Sequence, residues 1–285
     1  MSKRPASHKI RDVVFGILSF MLALLLTLLS FCVVAEATVF NKTTWLDIMN
    51  GTEYYQNKTD EIRKDLVDLG YASGLEESFF NDVVDEVMVT DDTAVYISGF
   101  FSGESVLVDT KGFKQNFTDQ LNEYIRKSGK KVSDENNISF LVNKASSIYS
   151  QDLKIPALKS ISPYYLFVKK YLPVVIAALA VLSVILILVF VFSNKWKHRS
   201  VKYIYYASAA AFLVNLAAAI IIAVNGGAGK LNVEARSVYY FFVGFVNNIN
   251  LAIWLCAALF FVVSASLYFL FRKLYLSVLG KTDGI

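Results

Sequence analysis

Long apolar runs separated by polar segments predict four membrane-spanning helices in this chain. The predicted spans are residues 13–35, 162–193 (which includes a short lead-in), 204–224 and 238–271. Each supplies the roughly 20 residues that a helix needs to cross a hydrocarbon core of about 30 Å. The fourth run is longer than this, so we expect it to tilt or to protrude from the bilayer. The pattern therefore predicts an all-α integral membrane protein.

The long polar segment between the first two spans, residues 36–161, has a helical pattern. Its apolar residues recur at spacings of three and four, as at Phe113 and Phe117. The polar run Thr90–Asp92 has the composition of a helix N-cap. The strand-like patch SVLVDTKG, residues 105–112, is short. We therefore expect a mainly helical domain of the bundle type, inserted between spans one and two.

The end of the first span resembles a signal-peptidase site, with the sequence AEA at residues 35–37. A cleaved signal peptide has an apolar core of about 7–15 residues. The run at residues 13–35 is longer, so we expect it to be retained as a membrane anchor. Its apolar periodicity continues through Trp45 and Met49, which predicts one long helix from the first span into the domain.

Lysine and arginine are concentrated in three of the polar flanks of the spans. These basic flanks are residues 1–12, 194–203 and 272–285. The remaining short loop, residues 225–237, has only Lys230 and Arg236. Because basic flanks are retained on the cytoplasmic side, both termini are predicted to be cytoplasmic. The domain between spans one and two is then extracytoplasmic, and residues 225–237 form an external loop.

Composition agrees with a membrane protein and points to a bacterial plasma membrane. The chain is 55% hydrophobic, with a mean hydropathy of +0.46 and a net charge of +4. Its two cysteines, Cys32 and Cys256, lie in apolar runs, so the predicted domain has no disulfide. Five N-x-S/T sequons lie in that domain, at Asn41, Asn50, Asn57, Asn116 and Asn137. They would be glycosylated in a eukaryotic secretory pathway, but the missing disulfides favour a bacterial protein whose sequons are unused.

An acidic cluster is the most conspicuous charged feature of the predicted domain. Its members are Glu76, Glu77, Asp82, Asp85, Glu86, Asp91 and Asp92. The cluster lacks the ligand spacing and the turn glycine of an EF-hand loop. A solvated helix face explains it most simply, and binding of a cation or of a basic partner is the alternative.

Motifs for catalysis are missing from the sequence. It contains no G-x-S-x-G, no H-E-x-x-H and no G-x-x-x-x-G-K-[ST] pattern. The two histidines, His8 and His198, lie in short basic segments. We therefore expect a protein that is not an enzyme and that needs no metal or other cofactor. A membrane-embedded enzyme that uses the acidic cluster is the weaker alternative.

Polar residues inside the predicted spans are asparagines. Asn215 lies near the middle of the third span, and Asn247 and Asn250 lie in the outer part of the fourth. Interhelical hydrogen bonding is the expected role of such residues, and a path for a polar substrate is the alternative. The third span is also rich in alanine, which predicts close packing at the centre of the bundle.

The leading functional hypothesis is a non-enzymatic, multi-pass membrane protein. Its extracytoplasmic domain would serve sensing, scaffolding or partner binding. Expected partners are the lipid bilayer and another membrane or cell-surface protein. The basic residues occur as membrane flanks, so nucleic-acid binding is not expected.

The order of one span, a large external domain and three further spans resembles the permeases of the FtsX and MacB type. The resemblance covers topology alone and includes no motif. It implies a permease-like subunit of a transport complex that works with a separate ATPase. Such permeases engage the ATPase through cytoplasmic elements, and here only residues 1–12 and the loop 194–203 are available.

Overall fold

The computed structural model describes residues 6–71, 73–104, 108–129, 135–155, 158–194, 196–225 and 235–282, and all regular structure in these ranges is α-helical. The helices are α1 (Ala6–Thr38), α2 (Lys42–Gly51), α3 (Tyr54–Tyr71), α4 (Glu77–Val83), α5 (Glu86–Ser102), α6 (Lys111–Ser128), α7 (Glu135–Asp152), α8 (Leu158–Ser193), α9 (Lys197–Asn225) and α10 (Arg236–Thr282). The all-α prediction is confirmed for this part of the chain. Of the strand-like patch, residues 105–107 lie outside the described residues, and residues 108–110 have no regular structure.

Four helices are long and apolar enough to cross a membrane, the same number as the predicted spans. They are Arg11–Thr38, Leu158–Ser193, Lys197–Asn225 and Arg236–Val278. The helices extend beyond the predicted spans, because their polar flanks continue the same hydrogen-bonded spiral. At a rise of about 1.5 Å per residue, the 43 residues of the fourth extend over roughly 65 Å. This is about twice the thickness of a hydrocarbon core of ~30 Å.

The predicted continuous helix from the first span into the domain is wrong. Helix α1 ends at Thr38, where the N–H groups of Val39 and Phe40 both donate to Ala35 O, at 2.8 and 3.0 Å. Asn41 then takes an extended conformation, and its side chain accepts hydrogen bonds from the first N–H groups of α2. This N-cap starts a new helix, so a local polar contact overrides the apolar periodicity of the sequence.

The chain forms two compact units. The span unit contains residues 1–40, 169–227 and 246–285, and the helical unit contains residues 41–168 and 228–245. Helix α8 and helix α10 each contribute residues to both units. Residues 235–245, at the end of the predicted external loop and the start of the predicted fourth span, therefore belong to the same unit as the polar domain.

Small side chains on α9 form the centre of the span unit. Ala207, Ala211, Asn215 and Ala219 are buried and recur every fourth residue, so they lie along one face of the helix. Helix α1 packs closely against α9, and Leu22 of α1 is fully buried. Small residues allow two helix backbones to approach closely inside a membrane.

Aromatic rings form much of the core of the helical unit. Trp45 of α2 contacts Phe100 and Phe101 of α5 at centroid distances of 5.8 and 5.3 Å. It also contacts Phe241 and Phe245 of α10 at 5.4 and 5.6 Å. The first turns of α10 are thus built into the core of this unit.

The N-cap predicted at Thr90–Asp92 is wrong, because α5 begins one turn earlier. Asp85 is the N-cap residue, and its carboxylate accepts a hydrogen bond of 2.7 Å from Met88 N. Thr90 lies within the helix, where its hydroxyl donates to Glu86 O at 2.7 Å. Asp85 and the run Thr90–Asp92 both have the composition of a helix N-cap, and α5 begins directly after Asp85.

Candidate functional site

A stripe of polar side chains runs along one face of α3 in the helical unit. Tyr54, Lys58, Glu61 and Asp65 follow one another at spacings of four, three and four, which places them on the same face. Lys58 is only 4% exposed, and its ammonium group lies 2.8 Å from Glu61 Oε2. A buried lysine requires such a partner, because an unpaired charge away from water is costly.

Glu61 also holds the start of α10. It accepts a hydrogen bond of 2.9 Å from Ser237 N and another of 2.7 Å from Ser237 Oγ. Burial alone would raise the pKa of Glu61, but the bonds from Lys58 and Ser237 outweigh it and hold that pKa below its usual range. The Glu61 carboxylate is therefore ionised at neutral pH and stabilises the first turn of α10.

A second carboxyl group lies close to this stripe on α7. Burial, reinforced by the nearby negative charge of Asp65, raises the pKa of Asp152 to about 6. Asp152 Oδ2 is buried and has no hydrogen-bond partner. Lys58 opposes the shift, and Glu61 adds to it. We name these four residues, Lys58, Glu61, Asp65 and Asp152, together with Ser237, the polar seam.

Two buried hydroxyl groups of the helical unit lie on α3 and α5. Tyr54 Oη and Thr93 Oγ1 have no hydrogen-bond partner, and burial raises the pKa of the Tyr54 phenol. Buried hydroxyls usually bond to ordered water when no protein partner is present. The spacing of the polar residues along α3 is visible in the sequence, but the spacing alone does not predict the polar seam.

The predicted acidic cluster lies on α4, α5 and the residues that precede each helix. Asp85 caps α5, and Asp92 accepts a hydrogen bond of 2.6 Å from Tyr149 Oη. Burial, as the largest cause, raises the pKa of Asp92. The remaining five carboxylates are exposed, and they are Glu76, Glu77, Asp82, Glu86 and Asp91. The cluster is therefore not one site, since two members have partners within the fold.

An apolar stripe lies among these carboxylates on α5. Val87 is 69% exposed and Val95 is 63% exposed, with Asp91 between them at spacings of four residues. All three positions therefore lie along one face of the helix. Single exposed valines are common on protein surfaces, and here two of them share one face of a helix with a carboxylate between them.

The sequon asparagines take part in the fold to different degrees. Asn41 caps α2, as described above, and Asn50 and Asn137 are exposed. The amide nitrogens of Asn57 and Asn116 donate hydrogen bonds, to Glu53 O at 2.6 Å and to Val83 O at 2.9 Å. Glycosylation of either residue would replace one of the two N–H groups of this nitrogen with a bulky sugar.

The asparagines of the span unit occupy three different environments. Asn215 of α9 is fully buried and accepts a hydrogen bond of 3.0 Å from Ser30 Oγ of α1. Its amide nitrogen donates to Ala211 O at 2.9 Å. Asn247 is exposed, whereas Asn250 Oδ1 is buried without a partner. The structure therefore joins Asn215, and not the other two, to a neighbouring helix.

An open pocket of about 360 Å³ lies between α3 and α4. Its lining is charged with both signs and includes Asp60, Arg63, Lys64, Asp68 and Glu77. Ligand pockets are usually enclosed and mostly apolar, so this one does not have the character of a small-molecule site. Within the residues that the structure describes, no group of three or more His, Cys, Asp or Glu side chains is placed to hold a metal ion.

Comparison of the chain with protein-family models, with curated proteins and with solved structures gave no match.

Proposed function

We propose that this is a non-catalytic, multi-pass membrane protein whose helical unit docks a partner protein that carries positive charge. This proposal rests on the exposed stripe of α5, where Val87 and Val95 flank Asp91. Exposed apolar surface surrounded by polar groups is typical of a protein–protein contact. The apolar groups would supply affinity, and the carboxylates would select the partner.

Charge along the chain supports a cationic partner. The segment from residue 65 to residue 110, which includes α4 and α5, has eleven acidic residues and no lysine or arginine. A segment with one sign of charge attracts a protein surface of the opposite charge and repels surfaces of the same charge. The partner that fits is therefore a protein segment with lysine or arginine around apolar side chains.

The location proposed for this interaction is outside the cytoplasm. Both termini and the basic connection between α8 and α9 would lie in the cytoplasm, because lysine and arginine are concentrated there. We further propose a bacterial plasma membrane. Two sequon amides, those of Asn57 and Asn116, are engaged in hydrogen bonds, which fits a cell that does not glycosylate them.

A photo-crosslinking experiment in whole cells tests the proposal. A photoreactive phenylalanine would replace Val87 or Val95 on α5, and exposed Gln115 or Asn122 on α6 as matched controls. We expect a discrete adduct from the α5 positions and none from the α6 positions. Charge reversal at two exposed carboxylates, Glu86→Lys with Asp91→Lys, should lower the adduct yield at least tenfold. Equal yields from both helices, or an adduct insensitive to charge reversal, would contradict the proposal.

A further inference from the structure

The N-terminal part of α9 and the C-terminal part of α10 lie side by side in the span unit. The His198 and Tyr275 rings are 6.0 Å apart, and the Tyr205 and Tyr268 rings are 5.7 Å apart. Ser200 Oγ donates to Phe190 O at 2.6 Å, which fixes the start of α9 against the end of α8. These contacts hold the side chains at this end of the unit in a defined arrangement.

Five cationic side chains project from these two helix ends. They are Lys197, Arg199 and Lys202 on α9, and Arg272 and Lys273 on α10, and we name them the basic rim. The ion pairs Lys58–Glu61, Arg63–Asp60 and Lys127–Glu123 all lie in the helical unit. Residues 153–285 include only two acids, Glu234 and Asp283. Asp12 of α1 accepts a hydrogen bond from Tyr203 at 3.5 Å.

Aromatic side chains surround the basic rim. Trp196, Tyr206 and Tyr275 are each between 46% and 50% exposed, and Lys202 lies over the Tyr206 ring at 5.5 Å. Exposed apolar side chains lie at the end of α8 and along α10, including Phe192 at 81% and Phe269 at 65%. Cations and aromatic rings next to lipid-facing apolar surface mark the headgroup layer of a membrane.

We propose that the basic rim binds the phosphate of an anionic phospholipid. Five cations lie at this end of the span unit beside the single negative charge of Asp12, so positive charge is in excess there and attracts an anion. A lipid fits because its acyl chains would lie along the exposed apolar faces of α8 and α10, while its phosphate meets the rim. The basic rim carries the opposite charge to the carboxylates on α5. Lipid binding by the rim does not depend on the partner proposed for α5.

The size of the effect follows from the charges removed. Each lysine or arginine near an anionic lipid surface contributes about 1 kcal/mol, so loss of two should weaken binding on the order of 30-fold. A matched control exists on α8, where Lys169 and Lys170 also flank an apolar run. Lys170 lies over the Tyr171 ring at 5.6 Å, as Lys202 lies over Tyr206. These two lysines are about 24 residues from the end of α8, or roughly 36 Å along the helix.

Native mass spectrometry of the full-length protein in detergent tests the inference. Phosphatidylglycerol and phosphatidylcholine with the same acyl chains are the probes, and soluble glycerol phosphate is the competitor. We expect wild type and Lys169→Gln/Lys170→Gln to bind phosphatidylglycerol alike, and Lys202→Gln/Lys273→Gln to bind it at least tenfold more weakly. The charge-conserving Lys202→Arg/Lys273→Arg should bind as wild type does. Restored binding in the arginine variant would show that the charge at these positions matters. An unchanged melting temperature of the glutamine variant in phosphatidylcholine would show that this variant is folded.

Three results would overturn the inference. Equal binding of phosphatidylcholine would show that charge plays no part. An equal loss in the Lys169→Gln/Lys170→Gln variant would show a general charge effect instead of a site. Full displacement by glycerol phosphate at the lipid concentration would show a site for a soluble phosphate and not for a lipid.

Discussion

Ser237 gives both its backbone N–H and its hydroxyl to Glu61, and this pair joins α3 to the first turn of α10. Glu61 at the same time neutralises the buried Lys58. One carboxylate therefore satisfies a buried cation and the first turn of a helix that continues for 47 residues. The two partners are 176 positions apart in the chain, so their contact depends on the folded helical unit.

Removal of the Ser237 hydroxyl should weaken the helical unit. We expect Ser237→Ala to lower the free energy of unfolding by about 1–2 kcal/mol, because a hydrogen bond to a charged group is lost. Ser277→Ala is the control, since that hydroxyl donates to Leu274 O within α10 and is exposed. Thermal unfolding of the full-length protein in detergent measures both. If Ser277→Ala lowers the free energy of unfolding as much as Ser237→Ala does, the contact with Glu61 does not stabilise the helical unit.

Asp152 should make the stability of the helical unit depend on pH. Its pKa is raised to about 6 in the folded state, above the value of about 4 for an unfolded chain, so ionisation opposes folding. Stability should therefore rise by on the order of 1 kcal/mol as the pH falls from 7 to 5, after allowance for partial exposure. At lower pH the trend should reverse, because the pKa of Glu61 is lowered in the folded state. Below the ordinary glutamate pKa of about 4.5 the unfolded chain binds this proton more readily than the folded chain, so stability is lost.

The Asp152→Asn variant isolates this effect. It should be more stable than wild type at pH 7, and its stability should no longer rise between pH 7 and pH 5. Asp65→Asn should shift the wild-type transition to lower pH, because it removes a negative neighbour of Asp152. Melting temperatures across the pH range provide the test. A transition that persists unchanged in Asp152→Asn would assign it to another group.

The spans were predictable and the polar seam was not, for a physical reason. Long apolar runs determine spanning helices almost alone, because unpaired backbone groups are excluded from a hydrocarbon core. The break at Asn41 and the cap at Asp85 depend on single side-chain contacts that compete with apolar periodicity. The Glu61–Ser237 contact joins residues far apart in sequence, so the sequence pattern reveals the stripe on α3 but not its partner.

A methyl group at Gly70 should disrupt the packing of α3 against α4. A Cβ at this position would lie 2.4 Å from the ring of Phe80, which is only 1% exposed and has little room to move. We expect Gly70→Ala to destabilise by about 1–3 kcal/mol through overpacking. Gly99→Ala is the matched helical control, because nothing lies within 4 Å of its added Cβ. It should be neutral or stabilising by about 0.5–1 kcal/mol, since alanine favours helix. Equal losses in a thermal melt would contradict this explanation.

The Ser30–Asn215 hydrogen bond between α1 and α9 should contribute measurably to packing of the span unit. A double-mutant cycle with Ser30→Ala and Asn215→Ala should give a coupling on the order of 0.6 kcal/mol, the usual size for such bonds between membrane helices. Asn247 is exposed, so the cycle of Asn247→Ala with Ser30→Ala should give no measurable coupling free energy. The cycle can be measured by thermal unfolding in detergent. Zero coupling for Asn215 would show that the observed 3.0 Å contact does not stabilise the unit.

The proposed orientation predicts a simple labelling pattern in intact cells. Cys32→Ser and Cys256→Ser remove both native thiols, after which Asp119→Cys reports on the helical unit and Ser277→Cys on the end of α10. Both positions are exposed, so local burial does not decide the outcome. A membrane-impermeant maleimide should label Asp119→Cys in intact cells and Ser277→Cys only after lysis, because the proposed orientation places the basic flank of α10 in the cytoplasm. The reverse pattern would show that the topology is inverted and that the α5 stripe of Val87, Asp91 and Val95 lies on the cytoplasmic side.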